Sequence, residues 1–188
     1  MSKKTRKNTK KLLSIILIIV ILVFAVIGIN KQMIKTMYKK EYSEYVSKYS
    51  QEYGVEEDLI YALIKAESNF DANAISNKNA KGLMQLMYST AEEIAYKSGI
   101  ELTEENILDP DTNINIGTKY ISNLLEKYNC IEVALAAYNA GSGNVDKWIK
   151  NGTIKSDGSD IENIPYKETN TYVRKIMRDY KIYTQLEG

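Results

Sequence analysis

The sequence predicts a mainly α-helical single domain preceded by one membrane-spanning helix. Three observations carry that reading. A run free of charge and apolar but for Ser14 covers residues 12–29. Beyond it, apolar residues recur at helical spacing in one segment after another, with cap and turn residues between them. No strand-like alternation persists for any length, and no internal repeat is present. The chain divides into a basic tail (1–11), the apolar span (12–29), a stalk (30–40) and a folded domain (41–188). With 188 residues, 44% of them hydrophobic, there is enough material for one core and an appendage.

In chain order, Lys3, Lys4, Arg6, Lys7, Lys10 and Lys11 precede the apolar run. Its eighteen residues span about 27 Å as a helix, enough for a bilayer core. The basic flank predicts a cytoplasmic N-terminus and a single-pass anchor in the cell membrane, with the folded domain outside. A cleavable signal peptide is the competing reading, but its apolar core is usually shorter, and only Ala25 or Gly28 could serve at a cleavage site. Tyr38, Tyr42, Tyr45, Tyr49 and Tyr53 then mark one face of an amphipathic helix, read as packing and closed by Gly54. The next helix begins around Glu56, Glu57 and Asp58, whose charges suit its N-terminus. Ile60, Leu63 and Ile64 form its apolar stripe, and Glu67 falls on the same face near its end.

A polar loop follows from Ser68 to Asn77, then LMQLM, where apolar residues surround the amide of Gln85. Ser89 to Glu92 fits a capping box for a helix ending near Gly99. Asp109-Pro110 starts another, with Ile114, Gly117, Ile121, Leu124, Leu125 and Tyr128 inward; Asp109, Pro110, Asn113 and Gly117 read as structural. Residues 130–138 form an Ala-rich helix, with Cys130 read as a small core residue. Asn139 to Gly143 breaks it, and Asn144 caps a short helix carrying Trp148, a core anchor. Residues 151–164 read as a mobile surface loop, and a last helix, 166–186, aligns Tyr172, Ile176, Tyr180 and Tyr183.

Composition narrows the chemistry. The chain contains no His and one Cys, which excludes His-based nucleophile systems, imidazole metal sites and an internal disulfide. Neither a metal nor a cofactor is expected. Residues 1–40 hold ten basic residues and no acid, whereas 41–188 hold 15 basic and 24 acidic residues, a net of −9. The folded domain is therefore not expected to bind nucleic acid. Catalysis must run on carboxylates, hydroxyls and amides. Glu67 stands out because a carboxyl on an apolar face at a helix C-terminus is disfavoured as an anion, both by desolvation and by the helix dipole. Its pKa is expected to be high, as a general acid requires. Asp71 is the nearest second carboxylate, with a turn role as the alternative reading.

Five blocks in this order, AESNFDANAIS, GLMQLM, DPDTNINIGTKYI, AAYNAGSGNV and IPYKETNTYV, resemble the catalytic domain of the soluble lytic transglycosylases. That family is lysozyme-like and related to goose-type lysozymes, and the similarity runs from about Tyr42 to Tyr183. It implies a helical domain with a substrate groove, and peptidoglycan glycan strands as the partner. By resemblance, Glu67 is the catalytic acid/base. Ser76 lies near the cleavage point, Gln85 and Met87 line the groove, Tyr138 and Asn139 stand beside the catalytic Glu, and Glu168 contacts substrate. The implied reaction cleaves the MurNAc–GlcNAc β-1,4 bond without water and leaves a 1,6-anhydro-MurNAc end. Taken singly these residues have plainer readings. Glu67 could be a solvated helix-end acid, Met87 a core filler, Tyr138-Asn139 a helix end, and Glu168 a first-turn acid. Two other functions stay open: a muramidase using water, and a glycan-binding scaffold without turnover, against which the intact Glu67, Gln85 and Tyr138 argue.

Overall fold

A computed structural model describes residues 32–34 and 36–186. The proposed span at 12–29 lies outside the described residues; among these, no helix is long and apolar enough to cross a membrane. The chain divides into two units, Met1–Lys39 and Lys40–Gly188. In the first, residues 32–34 and 36–37 are helical. The second unit contains seven α-helices: α1 (Ser43–Tyr53), α2 (Glu57–Glu67), α3 (Tyr88–Ser98), α4 (Pro110–Tyr128), α5 (Ile131–Ala140), α6 (Ser142–Lys150) and α7 (Lys167–Leu186). Among the described residues β-pairing is limited to two isolated bridges, Ile75 with Lys81 and Lys81 with Leu86.

α2 is the axis of this unit. Residues 58–64 are all buried, so the helix is covered around its whole circumference rather than along the single stripe expected. The reason is its position, packed against both α1 and α7. Tyr61 stacks on Tyr183 of α7, and Tyr180 of α7 donates to Glu56 at the start of α2. Farther along, Lys65 pairs at 2.8 Å with Asp179, which is wholly buried.

α1 packs against α4 through tyrosine hydroxyls. Tyr49 Oη donates to Asp111 at 2.7 Å and Tyr53 Oη to Asn115 at 2.6 Å, while Ser122 Oγ donates to the Tyr53 carbonyl. The expected five-tyrosine face is shorter than the spacing suggests. Tyr42 sits at the N-cap with φ of 59°, and this left-handed turn puts Tyr38 outside the helix. Gly54 closes α1 in the left-handed conformation that Gly adopts without a Cβ penalty.

Other boundaries also move. α3 begins at Tyr88 after Met87, with no side-chain cap, so Ser89 lies inside the first turn and the expected capping box does not form. Asp109 does cap α4, accepting from Thr112 N, with Pro110 next. Leu125 and Tyr128 are half-buried, while Asn113, Ile116 and Thr118 join the buried side of α4. Gly141 alone separates α5 from α6, and Asn144 lies within α6, bonding back to the Ala140 carbonyl. Cys130 is half-buried at the N-cap of α5 rather than in the core. Residues 151–164, read from polarity as a mobile surface loop, bury Ile154 and Ile164 and contain a 3-10 turn at Ile161–Asn163. Those two apolar side chains tie the segment to the body.

Asn113 of α4 ties the segment before α3 to the segment before α4. Fully buried, it accepts from Met84 N at 2.8 Å and donates to the carbonyls of Lys81 and Ile107. A Cβ on Gly82 would lie 2.3 Å from its amide nitrogen, so only glycine lets the 81–84 backbone come this close. Asn113→Ala would leave the Met84 N–H and the Ile107 carbonyl unpaired in the interior, the Lys81 carbonyl keeping its bond from Leu86 N, and is expected to cost about 3 kcal/mol in denaturant unfolding. Glu93→Ala, at an exposed pair with Lys97, should stay within about 0.5 kcal/mol.

Candidate active site

Glu67 is the last residue of α2, where the buried helix emerges at the floor of a cleft of about 570 Å³. The residues between α2 and α3 form one wall. They fold back because Gln85, at φ of 47°, donates its amide to the carbonyls of Ala74 and Gly82 at 3.0 and 2.9 Å. Ser68 Oγ bonds to the Leu83 carbonyl, which attaches this wall to the end of α2. Ser76 is exposed on it, and its hydroxyl accepts from the backbone of Lys78 and Ala80. Met87 closes the same side with an exposed side chain. Opposite stand Tyr138 and Asn139 from the last turn of α5, and Glu168 and Thr169 from the first turn of α7.

All seven residues singled out from sequence, Glu67, Ser76, Gln85, Met87, Tyr138, Asn139 and Glu168, line this one cleft. They come from four chain segments. Tyr138 is held by its hydroxyl, which donates to the Met84 carbonyl at 2.8 Å, and by its ring against Tyr120 of α4. Asn139 accepts from Thr169 Oγ1 at 2.7 Å, fixing α5 to α7 at the rim. Past Tyr138 the cleft continues into a recess of about 220 Å³, where Thr90 and Tyr120 join the lining.

The electrostatics single out one group. Burial is the main influence on Glu67 and pushes its pKa up to about 7; a hydrogen bond from Tyr172 and the charge of Lys175 pull the other way. Tyr172 Oη donates to Glu67 Oε1 at 2.5 Å. The sequence analysis placed Tyr172 on a packing face of the last helix and missed this bond. One signal hinted at it: its position four residues after Glu168, on the same side of the helix. Lys175 was also missed; its ammonium donates to the Ala66 carbonyl at 3.0 Å. The remaining acids differ in kind. Glu168 is exposed on the rim, and Asp71 lies outside the cleft lining, accepting from Asn73 N in a turn. A carboxyl half-protonated near neutrality can give a proton to a leaving oxygen and later take one back.

Comparison with known proteins points the same way. Residues 44–161 match the family described as Transglycosylase SLT domain. The soluble lytic murein transglycosylase of Escherichia coli (strain K12) is 34% identical over 131 residues, covering 68% of this chain and 20% of that protein. The membrane-bound lytic murein transglycosylase C of Yersinia pestis (strain Pestoides F) is 36% identical over 102 residues, 48% of this chain and 28% of that one. The crystal structure of the 70 kDa soluble lytic transglycosylase from Escherichia coli superposes with a TM-score of 0.75 at 28% identity, covering 82% of this chain and 26% of that chain. The present chain thus spans between 20% and 28% of the length of these relatives.

Two outcomes follow from the carboxyl's environment. The folded pKa of Glu67 lies above its unfolded value, so its stabilising contribution is complete below about pH 4.5 and lost as pH rises through about 7. Glu67→Gln should therefore change stability little at pH 4 and raise it at pH 8, by about 2 kcal/mol in urea unfolding. The Tyr172 bond favours the carboxylate, so Tyr172→Phe should move the Glu67 midpoint upward, read by carbon NMR of the side-chain carboxyl.

Proposed function

We propose, since this chain belongs to the transglycosylase SLT domain family, that it is a peptidoglycan lytic transglycosylase with Glu67 as its single acid/base. The observation that carries the reading is Glu67 itself. One carboxyl, raised to about 7 by burial, sits at the floor of a cleft whose other acid is exposed at the rim. Hydrolysis of a glycoside by the usual routes uses two carboxyl groups flanking the bond. With one such group, the substrate must supply its own nucleophiles, and MurNAc has two: the N-acetyl oxygen and the C6 hydroxyl.

In the first step the Glu67 carboxyl gives its proton to the glycosidic oxygen. The bond from MurNAc C1 to that oxygen breaks, and the N-acetyl oxygen assists at C1. In the second, the Glu67 carboxylate takes the proton of the C6 hydroxyl as O6 bonds to C1 and the N-acetyl oxygen leaves it, restoring the amide. The 1,6-anhydro ring closes and Glu67 is protonated again, so no water is consumed. Tyr172 holds the carboxyl in one orientation through both steps. Ser76, Gln85, Met87, Tyr138, Asn139 and Glu168 are assigned to binding the glycan along the cleft walls.

We assign residues 12–29 as an uncleaved anchor, which places the domain on the extracytoplasmic side of the cell membrane with its wall substrate. The length of the apolar run and its basic flank support this. The full chain should sediment with membranes and resist salt extraction, whereas a fragment from Lys39 onward should not.

The activity is tested by digesting purified peptidoglycan with that fragment and analysing released muropeptides by mass spectrometry. Products one water lighter than hydrolysed forms are expected, and Glu67→Gln should lower their rate by about a hundredfold or more. Hydrated reducing ends dependent on Glu67 would make the protein a muramidase; glycan binding without products would make it a scaffold. The rate should fall as pH rises through about 7, because the proton donor is lost there.

A further inference from the structure

Three successive rungs join α7 to the end of α2. Tyr172 meets the Glu67 carboxyl, Lys175 meets the Ala66 carbonyl, and Asp179 meets Lys65. The first and third are side-chain pairs, but the middle one places a cation on backbone. The Lys175 ammonium donates at 3.0 Å to a carbonyl in the last turn of α2, one residue before the carboxyl. Such terminal carbonyls lack helical partners, and a cation suits the negative end of the helix. Among the described residues, Lys175 forms no ion pair with Glu67 within 4 Å. Its charge is therefore held beside the carboxyl by a different acceptor.

We propose that Lys175 is a positioning residue that sets the acid/base balance of Glu67 from the Ala66 carbonyl. This rests on the reading of Glu67 as a group that works in both protonation states. A direct ion pair would occupy the carboxylate and hold it ionised, removing the donor. With no cation nearby, a carboxyl this buried would resist ionising, removing the base. A charge tied to the adjacent carbonyl favours the anion while both oxygens stay available to Tyr172 and substrate. The other titratable groups around Glu67 do not supply a cation at this place. Tyr172 faces it from α7 and Tyr138 from α5, both held well above the usual phenol range, chiefly by burial. Glu168 on the rim is acidic, and Lys78, the cation among the described residues that lines the cleft, is exposed on the opposite wall.

The test uses the full chain in detergent, with Lys175→Gln, Lys175→Met and Lys175→Arg. Gln keeps a donor for the Ala66 carbonyl and loses the charge; Arg keeps both. The Glu67 midpoint, read by carbon NMR of its carboxyl, should move up by about half a pH unit or more in Gln and Met, and stay in place with Arg. The alkaline limb of the rate of peptidoglycan digestion should move with it, and kcat should fall about threefold with KM little changed. A midpoint unchanged in a folded Gln variant would overturn the proposal, whether or not the chain digests peptidoglycan. A shifted midpoint in a protein that releases no products would leave the role of Lys175 standing and strike instead at the proposed function.

Discussion

The contact between α2 and α7 is the constraint on which the rest of the domain depends. α2 is short, covered on all sides over its middle, and ends at the floor of the cleft. A buried helix of eleven residues has little stability of its own, so its direction and the height of its last residue are set by what packs on it. α7 does this along its length, from Tyr180 on Glu56 and Tyr183 on Tyr61 to Tyr172 on Glu67. The buried Asp179, paired with Lys65 and Arg178, fixes the register between the two helices. Slippage by one residue would unpair a buried charge, an expensive event in a low-dielectric interior.

That register has a chemical consequence. The same packing that buries the end of α2 takes water away from Glu67, and desolvation is the main cause of its raised pKa. Tyr172 and Lys175 moderate the effect, so the carboxyl is poised rather than locked in its neutral form. Stability and proton chemistry are coupled here: an ionised Glu67 costs the fold free energy that the rest of the seam offsets.

The opposite wall is built by different means. It has almost no regular structure, and its shape comes from polar side chains that bond to backbone. Gln85 gathers the carbonyls of Ala74 and Gly82, Asn113 gathers Lys81, Met84 and Ile107, and Tyr138 reaches Met84. The close approach of Gly82 to Asn113, and of Gly117 to Met84, presses this wall onto α4. Gln85 thus has a structural task as well as a place on the cleft surface, since both of its backbone bonds hold the curve of the wall.

The helical class, most of the helices and the cap chemistry at Gly54, Gly99 and Asp109 were legible in the amino-acid sequence, because each depends on local spacing and local hydrogen bonds. The list of cleft residues was legible through ordered motifs, and the sign of the Glu67 shift through its place on an apolar face. Events that depend on distant partners were not. The turn at Tyr42, the missing cap at Ser89 and the burial of Ile154 and Ile164 are decided by packing that local pattern does not encode. Spacing put Tyr172 on the side of α7 that carries Glu168, but it could not show that its hydroxyl reaches Glu67, 105 positions away in sequence, or that Lys175 selects a carbonyl over a carboxylate. Sequence by itself determined which residue could be an acid. Only the tertiary structure decided how much water it loses and which hydroxyl and which cation stand beside it, because desolvation and through-space charge are properties of the assembled seam.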